Sequence, residues 1–140
     1  MLGYFFKLMV DLLYEDLTYK LQGCFYEVYN TLGYGHKEDV YQNALEKELK
    51  DCGIEYKREK SIKVVYKGES TGFYRPDFLI ENKVIVEIKA LHYLPSKLVK
   101  QLINYLKTTE YQLGFMVNFG AAKLQVVRRV WTDQRRISNE

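Results

Sequence analysis

Proline is nearly absent from this chain: only Pro76 and Pro95 occur, and no Pro-, Gly- or Ser-rich stretch divides it. Without a linker, an internal repeat or a low-complexity tract, 140 residues read as one domain, long enough to bury a substantial core. Cysteine is equally scarce. Cys24 and Cys52 lie far apart in sequence and lack CxxC spacing, which argues against a zinc site or an iron–sulfur cluster. They read as ordinary half-buried thiols in a reducing, cytoplasmic setting. No apolar run is long enough to span a membrane, the stretch over residues 1–14 being too short. Asp11, Glu15 and Asp16 interrupt or follow it, and no small-residue cleavage site marks a signal peptide. Residues 1–16 are therefore expected to form an apolar arm or short helix packed on the domain or on a neighbouring subunit, which keeps a homodimer in view. Met9 offers an alternative start. Charge of one sign is also lacking: the net charge is +3 and the pI near 8.7, compatible with an anionic partner without requiring one.

Aromatic residues are plentiful, with 13 Tyr and 7 Phe beside one Trp. Tyrosine packs its ring while keeping a hydroxyl near water or a ligand, so this composition suits an interface as well as a core.

Apolar periodicity and glycine stops predict a helix from about Leu17 to Leu32, ended by Gly33, and a second from about His36 to Cys52, ended by Gly53. Beyond Gly53, Glu55–Lys60 and Ile62–Tyr66 read as strands, with Lys67-Gly68 as a turn. Phe73–Ile80 and Val84–Ala90 read as a hairpin joined at Glu81-Asn82-Lys83, where Asn82 tolerates a left-handed backbone. Ser96 is placed to cap a helix reaching Thr108. Strands near Gln112–Asn118 and Leu124–Trp131 close the chain. Two helices, four strands, a helix and two strands make an α/β (α+β) fold with a central mixed β-sheet flanked by helices, over residues 17–131. Residues 132–140 read as a polar C-terminal tail.

Within the hairpin, alternation puts Glu87 and Lys89 on one face and Val86, Ile88 and Ala90 on the other. If Ile80 pairs with Val84, Asp77 falls opposite Glu87 and Arg75 opposite Lys89. Opposed residues hold their Cβ atoms roughly 4.5–5.5 Å apart, where like charges destabilise the pair. A bound divalent cation removes that penalty, and Mg²⁺ or Mn²⁺ takes such oxygen ligands while keeping positions for water and phosphate. Lys89 can hold an attacking water or neutralise charge growing on phosphate oxygens. Glu–x–Lys alone also fits a solvated face with cross-strand ion pairs, but Val84, Ile85, Val86 and Ile88 are apolar on both faces, as in a central strand.

A third acid lies on the second helix. Tyr41, Leu45 and Leu49 follow Glu38 on one stripe, so this carboxylate sits at the N-terminal end of the sheet-facing side. It either complements the helix dipole or reaches the metal, directly or through water. Gln101 and Tyr105, four apart on the late helix, can touch a phosphate; Gln101 can support Lys89, and Tyr105 can equally be core. Lys97, Lys100, Lys107, Lys123, Arg128 and Arg129 could supply phosphate contacts or simply be a solvated face. His36 fits a phosphate contact or a solvent-facing helix start, and His92 has no evident partner.

Gly35-His36-Lys37-Glu38-Asp39-Val40-Tyr41 resembles the signature of the GxxExxY proteins, a branch of the PD-(D/E)xK nuclease superfamily. The resemblance continues through Arg75-Pro76-Asp77, Val86-Glu87-Ile88-Lys89-Ala90, Gln101-Leu102-Ile103-Asn104-Tyr105-Leu106 and Asn118-Phe119-Gly120. It implies a restriction-endonuclease-like core and a metal-dependent nuclease that hydrolyses phosphodiester bonds of DNA or RNA through a metal-activated water, with DNA ahead of RNA. Asp77, Glu87 and the Ile88 carbonyl would bind Mg²⁺ (or Mn²⁺), Glu38 would complete the acidic set, and Lys89 would position the water. Gln101 and Tyr105 match a Q-x₃-Y motif, with Tyr105, Lys97 and Lys100 toward substrate phosphate. The four cysteines with which some relatives hold an iron–sulfur cluster are missing, and Tyr34, His36 and Lys37 stand where the signature usually has proline and apolar residues. The competing expectations are a non-catalytic nucleic-acid-binding or complex-assembly module that keeps the fold, and a structural homodimer built on the arm.

Overall fold

The computed structural model describes residues 2–132, so the expected polar tail, Thr132 apart, lies outside the described residues. The chain order is α1 (Leu2–Leu12), α2 (Glu15–Leu32), α3 (Glu38–Asp51), β1 (Tyr56–Arg58), β2 (Ile62–Tyr66), β3 (Glu69–Tyr74), β4 (Phe78–Ile80), β5 (Val84–Lys89), α4 (Ser96–Thr108), β6 (Leu113–Asn118) and β7 (Gln125–Val130). Five strands form one mixed sheet in the order β1-β4-β5-β6-β7, and β2 and β3 form a separate two-stranded sheet. Only β5 and β6 run parallel in the main sheet, with α4 as the crossover between them.

The strand expected over Phe73–Ile80 is two strands. Pro76 has no N–H to give to a ladder and fixes its own φ, so the chain breaks at Arg75-Pro76-Asp77. Upstream of the break β3 pairs with β2; downstream, β4 joins the main sheet. Arg75 thereby leaves the ladder, and its Nε donates to Ser61 Oγ at 3.1 Å instead of facing Lys89. The hairpin register itself is as expected: Ile80 pairs with Val84 and Phe78 with Val86. Its turn places Glu81 and Asn82 at φ 49° and 55°, and Lys83 N–H donates to Ile80 O at 2.9 Å.

Helix α4 starts without a side-chain cap. Pro95 occupies the cap position at φ −63° and ψ 138°, and Ser96 is the first helical residue rather than the cap. The two cysteines, distant in sequence, meet where α2 packs on α3, with Sγ atoms 3.8 Å apart. Cys24 is buried and Cys52 exposed. Burial, followed by the Cys52 contact, pushes the Cys24 thiol up to about 12.

Two cores sandwich the sheet. Leu21, Phe25 and Val28 of α2 and Tyr41, Leu45 and Leu49 of α3 pack with Val84, Val86 and Ile88. On the other face Leu102 and Leu106 of α4 pack with Ile85, Leu79 and Met116, joined by Ile62 and Tyr74 from the small sheet. Every core-facing residue of β5 is thus buried against a helix, which explains the continuous apolar run of that strand. Helix α1 leaves Tyr4, Phe5, Leu8, Met9 and Leu12 exposed, and Arg128 Nη2 donates to its Val10 carbonyl at 3.2 Å. Among the described residues no helix is long and apolar enough to cross a membrane.

Candidate active site

Where β4 ends short of β5, side chains replace the missing ladder. Asp77 N–H donates to Glu87 Oε1 at 3.0 Å, and Ile88 N–H donates to Asp77 Oδ2 at 2.7 Å. Each carboxylate therefore takes the backbone of the opposite strand, and Asp77 and Glu87 are locked face to face as the register implies. The Asp77 carbonyl is held as well, by Glu59 N–H at 3.2 Å. In an extended strand the N–H and C=O of one residue point to the same side. The Ile88 carbonyl therefore shares the gap that β4 leaves beside Asp77.

The electrostatics follow from that crowding. Burial first, and then the Asp77 charge, push Glu87 up to about 7 from the ordinary 4.5, against the Asp77 N–H, Tyr74 and Lys89, which favour its charged form. Burial also raises Asp77, opposed by the Ile88 N–H, Lys89 and Gln42. Glu38, on α3, is raised by burial, with Lys89 lowering it and Asp77 raising it. Lys89 thus acts on all three acids, and Glu38 stands in the field of Asp77. Yet among the described residues the only close ion pairs are Lys47–Asp51 and Arg58–Glu46, so Lys89 serves the group as a whole rather than one partner.

Tyr41 explains how α3 delivers Glu38. It is fully buried, stacks on Phe119 with centroids 4.7 Å apart, donates from its hydroxyl to Gly33 O at 2.6 Å, and accepts from His36 N–H at 3.2 Å. The Gly33–Gly35 turn, with φ of 68° and 108° at its glycines, is thereby tied to the first turn of α3. We expect Tyr41→Phe to keep the stack, strand two hydrogen-bonding groups, and lower stability by about 1–2 kcal/mol, measured by urea unfolding with unchanged m. His36 spends its ring against Tyr41, edge-on at 5.8 Å.

Two residues to which sequence reasoning assigned no role belong here. Gln42 Nε2 donates to Glu38 Oε1 at 3.4 Å and also supports the charge on Asp77, so it bridges the helix acid to the hairpin acid. Arg58 in turn donates to Gln42 Oε1 at 3.4 Å and to Asn43 Oδ1 at 2.9 Å. The i,i+4 spacing of Glu38 and Gln42 was the available signal. Asn118 is the second. It pairs in register with Lys89, is fully buried, and clamps Leu91 by accepting from its N–H and donating to its carbonyl, both at 2.8 Å. Gly120 lies so close to this exit that a Cβ would stand 2.2 Å from Leu91 N. Asn118-Phe119-Gly120 therefore fixes the chain just beyond Lys89.

The late helix contributes unevenly. Tyr105 stacks on Tyr74 with centroids 3.7 Å apart, so it is tied into packing beside Glu87. The Tyr74 hydroxyl is buried without a well-formed hydrogen bond, and burial followed by the Glu87 charge raises it above the ordinary phenol range. Gln101 is exposed and its side chain bonds to no described residue. Lys97 and Lys100 are exposed on the same helix. Lys107 stands over the Trp131 ring at 4.5 Å, and Arg128 donates to the Val10 carbonyl near the end of α1.

These donors suit a hard divalent ion that keeps much of its water. Among the described residues no three His, Cys, Asp or Glu side chains gather closely enough to cage a metal. Mg²⁺ is commonly held by one or two carboxylates with water and substrate completing the shell, which is what Asp77, Glu87 and a facing carbonyl offer. A cleft of about 690 Å³ lies at the turn end of β4 between Glu55, Leu79 and Asn82, and none of the site residues lines it.

No curated protein matches the chain. Among solved structures, an alkaline exonuclease (LHK-Exo) from Laribacter hongkongensis aligns with a TM-score of 0.49 and 15% identity over 72% of this chain and 59% of its own. SSO0001 aligns with a TM-score of 0.49 and 22% identity over 72% of this chain and 54% of its own. This chain spans little more than half the length of either. The family model of the PD-(D/E)XK nuclease superfamily matches residues 15–130, a span that holds Glu38, Asp77, Glu87 and Lys89. The chain belongs to the PD-(D/E)XK nuclease superfamily.

Proposed function

We propose that this protein is a metal-dependent phosphodiesterase that cuts nucleic acid, DNA ahead of RNA, at Asp77, Glu87 and Lys89. The observation that carries the reading is the reciprocal lock of two half-buried carboxylates, with Glu87 pushed up to about 7 and one lysine in the field of both. Such a pair is costly to the fold as it stands and is relieved by a cation. Mg²⁺ or Mn²⁺ held by Asp77, Glu87 and the Ile88 carbonyl would supply Lewis-acid charge and lower the pKa of water. Glu38, bridged through Gln42, completes the acidic set at the helix side. Lys89 places a fixed positive charge where phosphate oxygens gain charge and gives the attacking water a hydrogen-bonding partner. Lys97, Lys100 and Tyr105 take phosphates of the bound strand, and Gln101 borders them. The tie between Tyr41 and the Gly33–Gly35 turn supports placing the chain in the GxxExxY branch. A homodimer would form on the exposed apolar stripe of α1.

The test is an assay of purified protein on single- and double-stranded DNA and RNA with Mg²⁺, Mn²⁺ or chelator. Cleavage is expected with metal, none with chelator, and a loss of at least about 100-fold in Asp77→Asn. Binding without cleavage under every metal would favour the non-catalytic module.

A further inference from the structure

The β2–β3 hairpin does more than lead into Asp77. Its inner face loses cover toward the tip: Ile62 is 7% exposed, Val64 partly buried and Tyr66 62% exposed. The hairpin therefore reaches out from the domain. Its outer face carries Phe73, directly across the ladder from Lys63 and 66% exposed. Arg75 follows two residues on, on the same face, and its bond to Ser61 continues the same register.

Folding does not account for Phe73. The packing of this small sheet is done on the other side, where Ile62 and Tyr74 are buried and Tyr74 stacks on Tyr105. No described side chain stacks on or caps the Phe73 ring, although Lys63 pairs across the ladder from it and Arg75 follows it on the same face. The segment from Lys60 to Arg75 holds four cations, all exposed, against Glu69, so it carries as much net positive charge as the entire chain. An open aromatic face beside cations is the surface that takes an unpaired base and its flanking phosphates. Phe73 lies near the end of the small sheet, only four residues before Asp77, so the hairpin and the site are joined by one short stretch of chain.

We infer that the outer face of the β2–β3 hairpin is a stacking platform for one unpaired base of a nucleic-acid strand, with Phe73 under the base and Lys63 and Arg75 on its phosphates. This rests on the proposed nuclease reading for its choice of partner. Placed four residues before Asp77, the platform holds the strand that the site addresses and favours substrates with a single-stranded segment.

The test uses the full chain in chelator, so that binding is read apart from cleavage, with dT and U homopolymers and a blunt duplex as probes. Phe73→Ala is expected to weaken single-strand binding roughly 5- to 150-fold and blunt-duplex binding much less. Phe73 is exposed, so the variant should fold, and an unchanged Tm confirms it. Phe73→Trp in a Trp131→Phe background places the sole tryptophan on the platform, and its emission should be quenched as either homopolymer saturates. Preference between dT and U identifies which strand the platform takes. Wild-type affinity in Phe73→Ala, or a strand that saturates without quenching, overturns the platform, as does loss of self-association alone. Metal-dependent cleavage that persists with those results leaves the nuclease reading standing. Quenching and weakened binding without cleavage under any metal retain the platform and remove the nuclease.

Discussion

Lys89→Ala should slow single-turnover cleavage by about 10²–10³-fold while leaving the Tm close to wild type. The small structural cost follows from its surroundings: Lys89 is half-buried and makes no close ion pair among the described residues. The large kinetic cost follows from its position, because its charge bears on Glu38, Asp77 and Glu87 together. Lys89 lowers the pKa of each acid, so its removal drives all three upward. The variant should therefore need higher pH to reach its own best rate, a shift that loss of a distant phosphate contact would not produce. Lys89→Arg should rescue little, since a planar guanidinium does not replace a compact ammonium at one point in space. Wild-type rates in Lys89→Ala would remove this site from the chemistry, whatever else the protein cuts.

The geometry of that site was legible where one periodicity decided it. Alternation along Val84–Lys89 and a three-residue turn were enough to set Asp77 against Glu87, because a slip of one residue would have turned Glu87 toward α2 and α3 in place of Val86 and Ile88. The stripe Glu38–Tyr41–Leu45–Leu49 was legible for the same reason on a helix. What sequence did not reveal were features set by two periodicities meeting. Phe73–Ile80 alternates like one strand, yet Pro76 cannot donate, and the break it forces sends β3 and β4 into different sheets. The contact of Cys24 with Cys52 depends on how α2 packs on α3, which no local pattern encodes. Gln42 and Asn118 act through partners 35 and 27 residues away, Asp77 and Leu91, and such pairs become visible only after folding.

In chelator, the wild-type protein should lose stability as pH rises from about 4.5 to about 7, because Glu87 holds its proton more tightly when folded than when unfolded. The folded state then binds more protons than the unfolded state across that window, and stability falls with pH. A rise from 4.5 to about 7 corresponds to roughly 3 kcal/mol, fully present below the lower value and lost above the upper. Asp77 and Glu38 are shifted in the same direction and add to the slope. Glu87→Gln keeps an oxygen for the Asp77 N–H but carries no charge, so it should flatten most of this dependence and be the more stable protein at pH 8. Adding Mg²⁺ or Mn²⁺ at pH 8 should restore the wild type and do little for Glu87→Gln. Urea unfolding at pH 5 and pH 8, with and without metal, measures both effects. Equal pH slopes in the two proteins would mean that the Asp77–Glu87 pair is not strained. An equal metal response would place the ion elsewhere. The variant that is most stable without metal should be the one that no longer cuts, because the charge repulsion that weakens the empty site is what draws the cation into it.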